Sequence, residues 1–222
     1  NVTHGPAYQL SISTAAAGAT NGSNFTTQPV VSILDQDGNA VTTGTQSTQN
    51  VVVTSSSATL VGTTTVAGAS GTGVATFTNL KLTGTAGTIT LTYTISSPST
   101  ITNTQTISLV AGAPTQLVVT TGANSCRSRI ACLVQPVVKI ADASGNATTS
   151  TATVTATVTV GTGTVSAGST AVASAGIATF SGFTLQGTAG NFTVRYTIAS
   201  PSIGVNQGFI SLSAGDATKV LV

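Results

Sequence analysis

The chain repeats itself, and that repeat constrains its fold more than any other feature. QPVVSILDQDGNAVT at 28–42 returns as QPVVKIADASGNATT at 135–149, an offset of 107. GVATFTNLKLTGTAGTITLTYTI at 73–95 returns as GIATFSGFTLQGTAGNFTVRYTI at 176–198, an offset of 103. TISLVAGAPTQLVVT at 106–120 returns as FISLSAGDATKVLV at 209–222, and GPAYQLSIS at 5–13 is the same segment one repeat earlier. Four residues are therefore missing from the second copy between the first two blocks. Periods of this kind denote an array of similar folding units. Gly5, Gly112 and Gly215 mark three starts, so the expected units are 1–111, 112–214 and the opening strand of a third copy at 215–222. Linkers are expected near Gly5, 111–114 and 214–216, too short to decouple neighbouring units.

Side-chain chemistry says what each unit is made of. By count 71 of the 222 residues are Ser or Thr, and charged residues are only 5%. Threonine and valine are stiff at χ1 and suit a pleated strand. In TITLTYTI at 88–95, Ile89, Leu91, Tyr93 and Ile95 share one face and Thr88, Thr90, Thr92 and Thr94 the other. That is the alternation of a half-buried strand. The second copy keeps the inward set as Phe192, Val194, Tyr196 and Ile198, and VTATVTV at 154–160 predicts Val154, Ala156, Val158 and Val160 on one side. GTAG at 84–87 and 187–190 reads as the turn feeding these strands. Many short strands in about 100 residues is the size of an immunoglobulin-like sandwich. The expected fold is all-β, two tandem immunoglobulin-like β-sandwich domains.

Composition also excludes partners. A net charge of +2 with no basic stripe does not suit nucleic acid. No apolar run reaches the length of a membrane span, so no direct membrane insertion is expected. With neither an initiator Met nor a signal peptide, the chain reads as a processed form or an excised piece.

The succession PTQLVVT, QPVV-I-D--GNA, ATLVGTTTVA, GVATF and AGTITLTYTI is similar to the bacterial Ig-like repeats of large surface proteins, the invasin and intimin type and the giant repetitive adhesins. The resemblance covers nearly the whole chain twice. It implies a non-enzymatic, extracellular or cell-surface structural protein, a stalk or self-assembling fibre used in adhesion. The low acidic content departs from relatives whose linkers are stiffened by calcium.

Several residues invite more specific readings. Cys126 and Cys132, in a chain that reads as extracellular, are expected to form a disulfide. Arg127 and Arg129 on the enclosed loop could clamp a carboxylate, phosphate or anionic sugar, which makes a glycan- or receptor-binding module the alternative function. A solvated polar loop is the plainer reading. DQDGN at 35–39 spaces Asp35, Asp37 and Asn39 as a calcium loop would. The chain has no Glu to complete such a site, and DASGN in the second copy replaces Asp37 with Ser144 while keeping Asp142 and Asn146. A turn in which Asp binds its own backbone, with Gly38 or Gly145 left-handed, is expected instead, and no cofactor. Asn1, Asn21, Asn24, Asn146 and Asn191 each begin an N-x-Ser/Thr triplet, the acceptor pattern for N-glycosylation, which chance also produces where Ser and Thr are this common.

Catalysis has little support. Serines lack a neighbouring base, and the only His lies in the linker leading into the first unit. Phe77, Tyr93, Phe180, Phe192 and Tyr196 read as core, whereas Tyr8 and Phe25 read as strand or loop edges. The threonine ladders read as ordinary outward faces, because sheet twist spoils a flat ice-binding array. Low net charge predicts lateral or end-to-end self-association. The segment Ala217, Thr218, Lys219, Val220, Leu221 and Val222 is the candidate for strand exchange.

Overall fold

The computed structural model describes residues 3–216 and contains strands, turns and loops but no helix among them. The strand-exchange candidate at 217–222 and the Asn1 triplet residue lie outside the described residues. The chain divides into two compact units, Asn1–Gly112 and Ala113–Val222.

The first unit contains β1 (Gln9–Thr14), β2 (Val30–Leu34), β3 (Asn50–Ser55), β4 (Thr59–Val61), β5 (Thr65–Ala67), β6 (Val74–Thr76), β7 (Lys81–Thr83), β8 (Gly87–Ile95) and β9 (Ile101–Leu109). One sheet runs β1-β2-β6 and the other β5-β3-β8-β9, with β4 and β7 paired separately. Inward residues of both sheets meet in one core. Leu10, Val31, Ile33 and Ala75 come from the first, and Val51, Val53, Ile89, Leu91, Tyr93, Ile95, Ile107 and Leu109 from the second. Burying such faces is worth ~25 cal/mol per Å² of apolar surface, which suffices without Trp or Met.

The second unit contains β10 (Gln116–Thr121), β11 (Cys126–Arg127), β12 (Val137–Ala141), β13 (Thr153–Val160), β14 (Gly163–Ala167), β15 (Thr170–Val172), β16 (Ile177–Thr179), β17 (Thr184–Gly187), β18 (Gly190–Ile198) and β19 (Ile203–Ser213). Its sheets are β10-β12-β16 and β11-β19-β18-β13-β15, with β14 and β17 paired. Both units are immunoglobulin-like sandwiches.

The four missing residues can be located. Val41 and Thr148 donate to equivalent carbonyls, Ile33 O and Ile140 O, at 3.0 Å each. Val53 and Ala156 face the equivalent Tyr93 and Tyr196. The deletion therefore lies in the loop before β13. In the first unit the longer loop braces the incoming chain, because Gln46 Oε1 accepts from Ala7 N at 2.7 Å and His4 Nε2 from Thr43 N at 3.1 Å.

Two register changes depart from simple alternation. Val158 faces Val194 but Val160 faces Thr193, a bulge that turns the end of β13 out of the core. Val160 is 58% exposed, which corrects its expected place beside Val154 and Ala156. The second change lies in β19. Ile101 and Ile203 each open the return strand, opposite Ile95 and Ile198, so the second hairpin is one residue shorter. The register recovers where Gly208 and Phe209 together face Thr193, with Val194 opposite Gln207 and Phe192 opposite Ile210. Phe209 takes φ +59° and is 91% exposed.

Both β8–β9 and β18–β19 hairpins carry a cis Ser–Pro bond, at Ser97-Pro98 and Ser200-Pro201. Of the expected turn glycines, Gly84, Gly87 and Gly190 take positive φ, whereas Gly187 ends β17 without doing so.

Candidate functional site

In each unit the chain leaves its first strand, forms a loop, touches the last strand and then enters the next one. Gln105 holds this loop in the first unit. Its Oε1 accepts from Ala16 N and its Nε2 donates to Ala16 O, both at 3.0 Å, while Tyr93 Oη donates to Oε1 at 3.1 Å. Gln207 repeats the arrangement on Ala123 N and O at 2.9 Å, with Tyr196 Oη at 2.9 Å. The glutamine side chain thus acts as one rung of a backbone ladder. Burial pushes both tyrosine phenols well above their ordinary pKa.

Beyond this clamp the two loops share a backbone and differ in side chains. Asn21 N donates to Val110 O and Ser128 N to Ser213 O, both at 2.9 Å. Gly22 N reaches Leu82 O as Arg129 N reaches Leu185 O, and Phe25 N reaches Leu80 O as Cys132 N reaches Phe183 O, all at 2.9 Å. Gly18 and Gly22 are left-handed at φ +69° and +79°, and their counterparts Ser125 and Arg129 hold +52° and +67°. Glycine enters this region without steric cost, whereas a residue with a β-carbon does not. At Gly18 a β-carbon would also lie 2.0 Å from Thr26 Oγ1. In the second unit the Thr26 position is Leu133, which stands 82% exposed.

Cys126 and Cys132 are joined by a disulfide, and both are buried. They occupy the positions of Ala19 and Phe25. Phe25, expected at an edge, is only 4% exposed and belongs to the core. Its ring fills the space that the second unit gives to the disulfide, and the run of polar neighbours around it concealed a core residue.

Arg127 and Arg129 are both exposed on the second loop. Arg127 Nη2 pairs with Asp216 Oδ1 at 2.8 Å. Beside Arg127 opens a cavity of about 550 Å³, lined by Asn124, Ser125, Arg127, Ile130, Leu133 and Ser213 among others, while Arg129 and Asp216 line a separate one. Ile130 and Leu133 were not singled out from sequence. Offsetting the loop by 107 places them on Ser23 and Thr26, and that polar-to-apolar change was the available signal.

The DQDGN turn is held by Asp35, which is buried. Its Oδ1 accepts from Asp37 N at 3.0 Å and Asn39 N at 2.8 Å, and its Oδ2 from Gly5 N at 2.8 Å and Asn39 Nδ2 at 3.1 Å. The Gly5 amide above all, then Asn39 and Asp37, outweigh burial and hold this carboxyl down at about 2. Asp142 Oδ1 accepts from Ser144 N and Asn146 N at 2.9 and 3.0 Å. Gly38 and Gly145 are left-handed at φ +86° and +82°. Both aspartates therefore use their oxygens on backbone amides. Among the described residues no group of three or more His, Cys, Asp or Glu is placed to share a metal ion.

The remaining triplet asparagines differ in access. Asn24 and Asn191 are exposed. Asn21 is buried with Oδ1 accepting from Gly84 N at 2.9 Å, and Asn146 Nδ2 donates to both Asp142 oxygens. Tyr8 is exposed at its strand edge.

The fold defined by these pairings is a pair of immunoglobulin-like sandwiches. The chain matches no protein-family profile and no curated protein. Among solved structures it is similar to the Yersinia pseudotuberculosis adhesin InvE, at 21% identity and TM-score 0.39 over 90% of this chain and 58% of that one. It is also similar to the D00-D0 domain of intimin, at 13% identity and TM-score 0.41 over 91% and 99% of the two chains. Domains 4–9 of the surface layer protein SbsC show 17% identity and TM-score 0.34 over 94% of this chain and 31% of that one. Likenesses of this size assign no activity, and the fold stands on the strand register itself.

Proposed function

We propose that this chain is a non-enzymatic, adhesion-related structural protein of the cell exterior, whose tandem sandwiches act as a load-bearing spacer. One observation carries the reading: the first loop of each unit pairs in parallel with that unit's last strand. In the first unit Val110 N donates to Ala19 O at 3.0 Å and Asn21 N to Val110 O at 2.9 Å. In the second, Cys126 faces Leu212 and Arg127 faces Ser213. Parallel neighbours drawn from opposite chain ends slide along one another. Their bonds then share the load in shear instead of opening one at a time, unlike a hairpin pulled from its open end.

A disulfide suits an oxidising exterior, and hydroxyl-covered outer strands suit a spacer that carries little charge. Self-association of such spacers belongs to the same proposal, and sedimentation against concentration would measure it.

Force spectroscopy tests the mechanical claim. Stretching the chain should give two unfolding events of roughly 350 Å of contour at ~3.5 Å per residue, the second unit releasing less because the Cys126–Cys132 disulfide keeps its loop closed. Val110→Pro removes the amide that holds Ala19 O and should lower one of the two forces. Equal forces for parent and variant would refute the spacer mechanism.

A further inference from the structure

The two loops share one backbone, so each serves as the other's reference. Going from the first unit to the second, Ser23 becomes Ile130, Asn24 becomes Ala131 and Thr26 becomes Leu133, while Thr20 and Gly22 become Arg127 and Arg129. Three polar side chains are exchanged for apolar ones at a groove that Arg127 lines, and Arg129 lines the neighbouring pocket, which shares Ile130 with it. Arg129 holds a left-handed backbone at φ +67° where glycine would sit without strain. Leu133 is 82% exposed at the groove, and Phe209, 91% exposed, precedes the groove residue Ser211 by two positions on β19. A single exposed apolar side chain means little, but apolar groups clustered beside charge mark interaction surfaces.

Charge indicates the partner's chemistry. Asp216 already rests on Arg127 at 2.8 Å with both side chains at least half exposed, so this groove accepts a carboxylate at its rim. Guanidinium groups favour planar carboxylates, and Ile130, Ala131 and Leu133 supply an apolar contact beside the polar Asn124, Ser125, Ser211 and Ser213.

We propose that the groove of the second unit binds a protein partner through a short acidic segment. One apolar side chain of that segment would seat against Ile130 and Leu133, with a neighbouring carboxylate on Arg127 or Arg129. This goes beyond the spacer reading, and its test leaves the parallel pairing untouched, so the two fail separately.

The test pans a phage-displayed random heptapeptide library on the two-unit protein. The reference variant carries Ile130→Ser, Ala131→Asn and Leu133→Thr, residues with which the first unit builds the same loop. A second variant carries Arg127→Thr and Arg129→Gly, again taken from the first unit. Enriched peptides should place Asp or Glu within two positions of Leu, Ile or Phe. A synthetic peptide of that pattern should bind the parent at least tenfold more tightly than either variant, with all three proteins showing the same circular dichroism spectrum. No enrichment, enrichment of basic peptides, or equal affinity for parent and variants would overturn the proposal. So would arginine-dependent binding of heparin in the absence of peptide binding, which would assign the site to anionic glycans.

Discussion

Tyr196 Oη donates to Oε1 of Gln207 at 2.9 Å, and the same glutamine spans both backbone groups of Ala123. The equivalent bond joins Tyr93 to Gln105 at 3.1 Å. Replacing Gln207 with Leu strands the Ala123 amide and carbonyl and the phenol together. The expected cost is about 3 kcal/mol, against about 1 kcal/mol for Tyr196→Phe, which leaves the loop clamp in place. Urea unfolding of both variants checks the order. A larger loss for Tyr196→Phe would assign the stability to the phenol instead of the loop.

The same tyrosines predict behaviour in alkali. Burial raises their folded-state pKa above the ordinary value near 10. Their contribution is complete below pH ~10 and is lost as pH rises beyond it, because only the unfolded chain then releases the phenolic protons. Melting temperature should fall from about pH 10 upward, and less steeply in a Tyr93→Phe, Tyr196→Phe double variant.

Acid acts through Asp35 in the first unit. Its carboxyl is lowered from 3.8 to about 2 in the folded protein, so the stabilisation is present above pH ~4 and is lost between about 4 and 2. With only four Asp and no Glu in the chain, few other carboxylates share this window. Calorimetry across it should show the first unit weakening, and Asp35→Asn should flatten that dependence while lowering stability at neutral pH.

Arg129 and Gly22 hold one backbone conformation with different costs. Arg129→Gly should stabilise the second unit by about 0.5 kcal/mol, the relief of a left-handed residue being partly offset by glycine's freedom in the unfolded chain. Gly22→Arg should destabilise the first unit by about 1 kcal/mol through φ alone, since nothing lies within 4 Å of a β-carbon there. Thermal melts of the two exchanges should move in opposite directions.

The disulfide and the Phe25 ring are two solutions to one packing problem. Cys126→Ala with Cys132→Ala should cost about 2 kcal/mol from loop closure, plus a further loss for the emptied volume. Cys126→Ala with Cys132→Phe copies the first unit and should recover about 1 kcal/mol of that loss. If the Phe variant were the less stable, the two loops would not be packing equivalents.

Much of this architecture was legible because it is written twice. The paired blocks, the inward set from Ile89 to Ile95 and the aspartate-held turns all follow from local rules that each copy obeys. Val160 and Phe209 escaped for one shared reason: periodicity assumes uninterrupted register. Val160 leaves the core through a bulge, and Phe209 is displaced by another that the constant offset of 103 conceals, since a lost residue and a gained one cancel within ten positions. A one-residue change of pairing exchanges the faces of a strand, and nothing in the alternation announces it. Phe25 escaped differently. It lies in a loop with no periodicity, and its burial depends on the empty volume beside Ala19. The groove at Ile130 and Leu133 needed the two loops laid side by side, because neither is unusual alone.

The extra residue at Gly208 and Phe209 confines a change of hairpin length to one end of the sandwich. Downstream of it, Ile210 and Leu212 point inward as Ile107 and Leu109 do, and Ser213 meets Arg127 as Val110 meets Thr20. A hairpin tip can therefore gain or shed a residue while the strand end that pairs with the first loop of the same unit stays in phase. Sandwiches built this way can differ at their tips from copy to copy without disturbing the parallel contact that closes each one.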